Sequence, residues 1–393
     1  MNLKNLLNLN IFFAISLTFN PSIQGYIGGD TFSQKAIEQS FGAKDQLAFT
    51  QKASYDLQDV LDEAVAEQKI PGAVMYISSP RGNWLGASGV SNLATKRLME
   101  PTDGFAIASM SKTFVAVVVL KLAEEGKLNL DQAIGQLLPQ DITPHIPNSK
   151  KITVRQLLNH TSGVAEYLTT EAFKKASAPR DRSKPWTAKE AIKYIYGVNP
   201  QALPGNKYIY TDSNYILLEL IVEKITKGTL EQQIRDRILK PLALKSTFTE
   251  LREPILGHPA TGYSDRNKDG KLDSLAQVND GNGLGDGGLV SNAEDLAKFA
   301  KALFAKKSLL SPKMMSQMLK FSSEGDRYGY GLGVERFPTP YGISFGHSGT
   351  AYGFVTLMAY LASKDTTVVV LLNNQNSNIK AIAMKALKIV NSN

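Results

Sequence analysis

The stretch from Ser109 to Glu125, SMSKTFVAVVVLKLAEE, is apolar on nearly every side. A segment of this kind must be surrounded, so the chain has to supply several layers of structure around it. The run Val117 to Val119 favours a strand, but the stretch is too long for an ordinary one, and it is read as a buried helix that Gly126 can stop. Before it, Leu57 to Glu67 carries apolar residues at helical spacing. Gly72 to Ser79, with the following GNWLGASGV, reads as strand, turn, strand. Between about 126 and 285 strand signals are sparse. Val154 to Leu158, Ala188 to Tyr196, Asn214 to Ile225 and Leu230 to Arg237 read there as short helices. A helix from Asn292 to Phe304 follows, then YGYGLGVER, GISFGHSG, GFVTLMAYLA and TTVVVLLNN as successive strands, then a helix from Asn378 to Val390. Strands at both ends and helices between them predict an α/β (α+β) fold with one antiparallel sheet flanked by helices. Its N- and C-terminal parts, 45–125 and 286–393, would form the sheet domain, and 126–285 an inserted, mostly helical domain.

Composition narrows the function classes. Of 393 residues, 43% are hydrophobic and 20% charged, an ordinary globular balance that excludes wholesale disorder. The absence of cysteine excludes a thiolate nucleophile, a disulfide scaffold, a Cys-ligated zinc and a lipoprotein anchor. The formal charge of +8 is spread in ones and twos, as at Lys174-Lys175 and Lys306-Lys307, without the basic stripe that tracks phosphates, so no nucleic-acid partner is expected. Residues 1–25 hold Lys4, a mostly apolar stretch from Leu6 to Phe19, then Asn20, Pro21 and small residues. This reads as a signal peptide. The stretch is short for a membrane span and contains Asn8 and Asn10. The mature protein is therefore expected to be periplasmic or secreted, without a stable membrane span.

Three segments carry candidate chemistry. Ser109 and Lys112 stand three apart at the head of the buried helix, a spacing that puts hydroxyl and amine on one face. The helix start offers N–H groups to a developing negative charge, and a desolvated Lys can serve a Ser nucleophile as base. Tyr210-Thr211-Asp212 precedes another apolar helix. Either Asp212 or Ser213 caps that helix and Tyr210 is core, or Tyr210 is a phenol whose pKa is lowered by Lys112 and which exchanges the Ser109 proton. His347-Ser348-Gly349-Thr350 ends a strand. It is either a Gly-rich turn or an edge for an extended substrate, with the Thr350 and Ser109 backbone N–H groups forming an oxyanion hole.

In this order the three segments resemble the serine β-lactamase and penicillin-binding protein superfamily, for which Ser-x-x-Lys is a signature. The pattern is most similar to class C β-lactamases, DD-carboxypeptidases of similar type and esterases on the same fold. VRQLLNHTSGV (Val154 to Val164), PLALKST (Pro241 to Thr247) and GGLVSNAEDLAKF (Gly287 to Phe299) also resemble it, extending the likeness over roughly 50 to 390. The resemblance implies a β-lactamase-like fold in which Ser109 is acylated, Lys112 and Tyr210 handle its proton, and the Ser109 and Thr350 amides hold the oxyanion. Asp212, His347, Ser348, Gly349 and Thr350 would contact substrate, and Arg336 would meet a substrate carboxylate. His347 stands where class C β-lactamases carry Lys, which ranks D-alanyl-D-alanine carboxypeptidase above β-lactamase. Asp212 replaces the family's Asn. An ionised carboxylate accepts hydrogen bonds without donating any, so recognition of an amide changes and Lys112 is held more firmly charged.

The expected substrate is thus a peptidoglycan peptide or another small acyl compound, β-lactams among them. An esterase, a class C-type β-lactamase and a non-catalytic cell-wall peptide-binding protein stand as alternatives. No cofactor or metal is expected. Asp265 to Gly270 resembles the start of a calcium loop, but Ala276 stands where the bidentate Glu would be, and the segment reads as a polar hairpin tip. His160 reads as a hydrogen-bonded turn residue, and His145 and His258 as loop positions beside prolines.

Overall fold

The computed structural model describes residues 49–181, 183–276, 278 and 279, 281–321 and 328–392; the expected signal peptide over 1–25 lies outside them. A helix α1 (Gln51–Glu67) opens the described chain, capped by the Thr50 hydroxyl, which accepts from the Ala53 N–H. Strands β1 (Gly72–Ser79) and β2 (Gly82–Asn92) form the expected hairpin, followed by the short β3 (Arg97–Leu98) and β4 (Phe105–Ala106). The buried helix α2 covers Ser111–Glu124, and every side chain from Ser111 to Leu120 is buried, as its all-round apolar sequence requires. It packs against α3 (Ser213–Thr226), whose residues Ser213 to Val222 are buried as well.

The remaining strands are β5 (Phe248–Thr249), β6 (Tyr263–Ser264), β7 (Asp273–Ser274), β8 (Leu289–Ser291), β9 (Gly329–Tyr330), β10 (Glu335–Thr339), β11 (Gly342–Ala351), β12 (Phe354–Leu361) and β13 (Thr366–Leu372). The main sheet has the order β3-β2-β1-β13-β12-β11-β10-β9. Its pairings are antiparallel, and the N- and C-terminal parts join where β1 pairs with β13, with Met75 opposite Val370. The fold is the mixture of antiparallel sheet and flanking helices that the sequence predicts. On one face of the sheet, α1 and the C-terminal α5 (Ile379–Asn391) enclose a core of Leu57, Leu61, Met75, Val370 and Leu387. On the other face lie α4 (Ala293–Ala300) and the turn that carries Ser109.

Several sequence expectations change. Ser109 does not lie in the α-helix but in a 3₁₀ turn, Ala108–Met110, immediately before α2. YGYGLGVER is not one strand. It breaks between Tyr330 and Glu335, where Gly333 (φ +72°) leaves no room for a Cβ against Ala116, donates to the Leu158 carbonyl and accepts from the Thr113 hydroxyl. The helix predicted to Phe304 is α-helical to Ala300 and then widens into a π turn over Lys301–Ala305. The small sheet β4-β8-β5 and the helices Glu171–Ser177 and Pro312–Met318 had no clear sequence signal.

Gly349 of β11 brings the sheet against the Ser109 turn, since a Cβ there would stand 2.3 Å from the Ile107 carbonyl oxygen and 2.7 Å from Thr356 Oγ1. Both neighbours are fixed, because Thr356 Oγ1 itself donates to the Ile107 carbonyl at 3.0 Å. Gly349→Ala is expected to cost about 1–3 kcal/mol through overpacking and to slow covalent labelling at Ser109. Thermal unfolding and the labelling rate test this, and an unchanged melting temperature would show that the contact is slack.

Candidate active site

Ala108, directly before Ser109, holds φ at +50°, a left-handed conformation that is costly for a residue with a side chain. The surroundings enforce it. Ile107 N–H donates to Leu289 O at 2.9 Å, Leu289 N–H donates to Ser111 Oγ at 3.1 Å, and Gly287 packs against Ala108.

Lys112 is fully buried and its ammonium donates to three oxygens: Ser109 Oγ at 3.1 Å, Asp212 Oδ1 at 2.5 Å and the Asp286 carbonyl. An ammonium has three donors, so this set accounts for the protonated form. Burial alone would push Lys112 down, but the Asp212 and Asp286 carboxylates outweigh it and hold the group above the ordinary lysine range. Asp212 occupies the position before α3 without capping it, its carboxylate being turned to Lys112.

A ring of further groups supports this centre. The Asp286 carboxylate accepts from the Tyr167 hydroxyl at 2.8 Å, and its pKa is driven far up by burial and then by the Asp212 charge. Glu166 accepts from the Asp212 backbone N–H at 2.5 Å and is pushed up to about 7 by burial and then by Asp212.

The Tyr210 hydroxyl is buried without a hydrogen bond of standard geometry, while the adjoining Ser109 hydroxyl favours its ionised form. Burial, reinforced by Asp212, nevertheless raises the phenol well above its ordinary value. The expected lowering by Lys112 is thus reversed, because burial of the phenol, and after it the Asp212 charge, favours the neutral form. The Tyr210 ring stacks on His160 with centroids 4.1 Å apart. His160, fully buried, accepts at Nδ1 from the Thr211 N–H at 3.2 Å, and burial keeps it neutral. It is a hydrogen-bonded turn residue, and it also forms the platform behind Tyr210.

His347 is neither in a turn nor solvated. It is buried on β11, its Nε2 is 2.8 Å from the Tyr330 hydroxyl, and burial lowers its pKa against the pull of Glu335. The Ser348 backbone N–H and hydroxyl both reach the Glu335 carboxylate, each at 3.0 Å. Pairing with β10 ends at Gly346. The Ser348 N–H therefore points off that edge, and the Thr350 N–H, two residues on, points the same way beside an exposed side chain. Arg336 pairs with Phe345 between β10 and β11, and its guanidinium lies 4.8 Å from the Phe321 ring centroid. The structure thus brings Ser109, Lys112, Tyr210 and Asp212 together and packs Gly349 against their turn.

Glu166, Asp286, Glu335 and Tyr330 were not singled out from the sequence. Asp286, a lone acid among the glycines of GLGDGG, was the most visible of them. Among the described residues no group of three or more acidic or histidine side chains is arranged to hold a metal ion, and no helix is long and apolar enough to cross a membrane.

A serine and a buried lysine joined at a turn beneath an antiparallel sheet mark a serine hydrolase of the β-lactamase and penicillin-binding protein class. The chain belongs to the Beta-lactamase family, whose model matches residues 57–389. It is similar to a D-stereospecific amidohydrolase from Streptomyces sp. (27% identity, TM-score 0.75, covering 85% of this chain and 97% of that one). It is also similar to an octameric penicillin-binding protein homologue from Pyrococcus abyssi (28%, TM-score 0.73, 86% and 77%). Protein flp of Staphylococcus aureus strain MW2 is 30% identical over 215 residues, 54% of this chain and 42% of that protein, so the match spans under half of that relative's length.

Two outcomes are expected from the charges. Asp212 raises both Lys112 and Tyr210, so the unprotonated form of this pair accumulates on the alkaline side. Asp212→Asn should move the rising limb of the kcat/KM profile to lower pH, measured between about pH 6 and 10; an unmoved limb would show that Asp212 does not set it. Glu166, raised to about 7 from 4.5, favours the folded state below its unfolded value and loses that contribution as pH rises through about 7. Glu166→Gln should therefore raise the melting temperature at about pH 8 more than at about pH 5. Equal shifts at both would contradict the raised value.

Proposed function

We propose that this chain hydrolyses D-aminoacyl amides and peptides through an acyl-enzyme on Ser109. The observation that carries the reading is the hold on Lys112, which fixes one of its hydrogens on Ser109 Oγ. In the reactive form Lys112 or Tyr210 has lost its proton. Ser109 Oγ bonds to the carbonyl carbon while its proton passes to the Lys112–Tyr210 pair, and the oxyanion meets the Ser109 and Thr350 N–H groups. The pair returns the proton to the leaving nitrogen as the C–N bond breaks, and water then releases the acid by the same path in reverse. Preference for a D-configured substrate is supported by the likeness to the Streptomyces amidohydrolase.

A D-alanyl-D-alanine carboxypeptidase acting on peptidoglycan stem peptides is the second reading. The sequence His347-Ser348-Gly349-Thr350 and the exposed Thr350 favour it. The surrounding charge places it second, because a substrate carboxylate near Ser348 would meet Glu335 and find the Ser348 hydroxyl already donating to it. Asp212 adds a further negative charge beside Ser109. A periplasmic or secreted location belongs to the same proposal and rests on the sequence of residues 1–25.

Labelling with a fluorophosphonate or fluorescent penicillin, followed by mass spectrometry, should place the adduct on Ser109. Ser109→Ala should abolish it and lower turnover by at least about a thousandfold. D-alanine amide should turn over faster than an acyl-D-Ala-D-Ala peptide, a short-chain ester or nitrocefin. The reverse order for the peptide would install the carboxypeptidase reading, and dominant ester or nitrocefin turnover would install an esterase or β-lactamase. A folded protein without any adduct would favour a binding protein.

A further inference from the structure

A carboxylate buried in the middle of α3 lies outside the chemistry proposed above. Glu219 is fully buried, and its two oxygens have different partners. Oε1 accepts from Arg252 Nη1 at 2.7 Å, and Oε2 accepts from the Gly285 backbone N–H at 2.7 Å. Arg252 also donates through Nη2 to the Trp186 carbonyl at 2.9 Å, and Glu231 stands 3.5 Å away. A buried ion pair adds little stability over apolar residues of similar size, whereas a half-broken one is strongly destabilising. The pair is better understood through what its second oxygen holds.

Gly285 begins the turn that reaches Ser109. The next residue, Asp286, gives its carbonyl to Lys112 and its carboxylate to Tyr167. Gly287 then packs against Ala108, and Leu289 fixes Ile107 and Ser111. The segment runs close against its neighbours, since a Cβ on Gly283 would clash with the Glu250 carbonyl and one on Gly285 would stand 2.8 Å from Leu230. One carboxylate oxygen on a rigid helix therefore fixes the start of the loop that supplies Lys112 with its third acceptor.

We propose that Glu219, held by Arg252, is a positioning residue for Lys112, acting through the Gly285–Asp286 backbone. The inference rests on the reading in which Lys112 prepares Ser109. Glu219 touches neither substrate nor reacting atoms, and its contribution is to hold the Asp286 carbonyl on the ammonium.

The test replaces the ion pair as a unit, Glu219→Leu with Arg252→Met, and adds Glu219→Gln, whose amide oxygen can still accept from Gly285. The double variant should melt near the unsubstituted protein. It should lose about 10- to 100-fold in kcat, the scale of a small misplacement of catalytic groups, with KM within about threefold, and the pH dependence of fluorophosphonate labelling should move. Glu219→Gln should recover labelling toward the original rate. A folded double variant with unchanged kcat and labelling profile would overturn the proposal. Should the double variant not fold, Glu219→Met with Arg252→Gln, which also removes the Gly285 acceptor but leaves an amide to donate to the Trp186 carbonyl, decides: labelling that shifts in pH dependence while reaching Ser109 supports positioning, and a profile identical to the unsubstituted protein overturns it. Failure of the unsubstituted protein to form a Ser109 adduct would sink the functional reading itself, whereas a normal adduct with indifferent variants would sink only the role of Glu219.

Discussion

The Lys112 ammonium, taken wholly out of water, is the constraint around which the rest of this molecule is arranged. A charge at that depth needs both electrostatic compensation and a full set of acceptors. The compensation comes from Asp212 ahead of α3, and the acceptors are the Asp212 carboxylate, the Asp286 carbonyl ahead of β8 and Ser109. Three parts of the chain that are distant in sequence are thereby tied to one nitrogen. The positive charge that would otherwise be a burden on the core becomes the reason that the helices and the sheet meet where they do.

The same balance explains why the acids around the site behave unlike surface acids. Glu166, Asp212 and Asp286 share a small, poorly hydrated volume with a single cation. Each additional negative charge is harder to accommodate than the last, and burial and mutual repulsion push protons onto Glu166 and Asp286. Tyr210 feels the same field and stays a neutral phenol at rest. On the sheet side, Glu335 anchors the Ser348 amide and hydroxyl, and buried His347 braces Tyr330. Neutral and negative groups therefore dominate the lining, which is the physical basis for ranking an uncharged leaving group above a terminal carboxylate.

Much of this was legible in the sequence, and the parts that were not have a common cause. The helix α2 announced itself by having no polar face, β13 by its unbroken β-branched run, and the nucleophile with its lysine by their spacing. Those are local signals. The break after Tyr330 was invisible because it arises from the docking of Gly333 onto α2, a contact between segments some two hundred residues apart. The roles of Glu166, Asp286 and Glu335 depend likewise on what folding places beside them, and a lone acid in a loop looks the same whether solvated or buried. The Tyr210 pKa was read from one neighbour, Lys112, when the balance of several decides it.

The pairing of β1 with β13 has a consequence for how the molecule is made. The central ladder of the sheet joins residues 73–78 to residues 367–372, so it cannot close until residue 372 has left the ribosome. Contacts spanning so many residues are slow to form and leave unpaired strand edges exposed meanwhile. The closing of this ladder therefore waits on a late part of synthesis, and a chain cut before Thr366 would lack an interior strand rather than a dispensable edge.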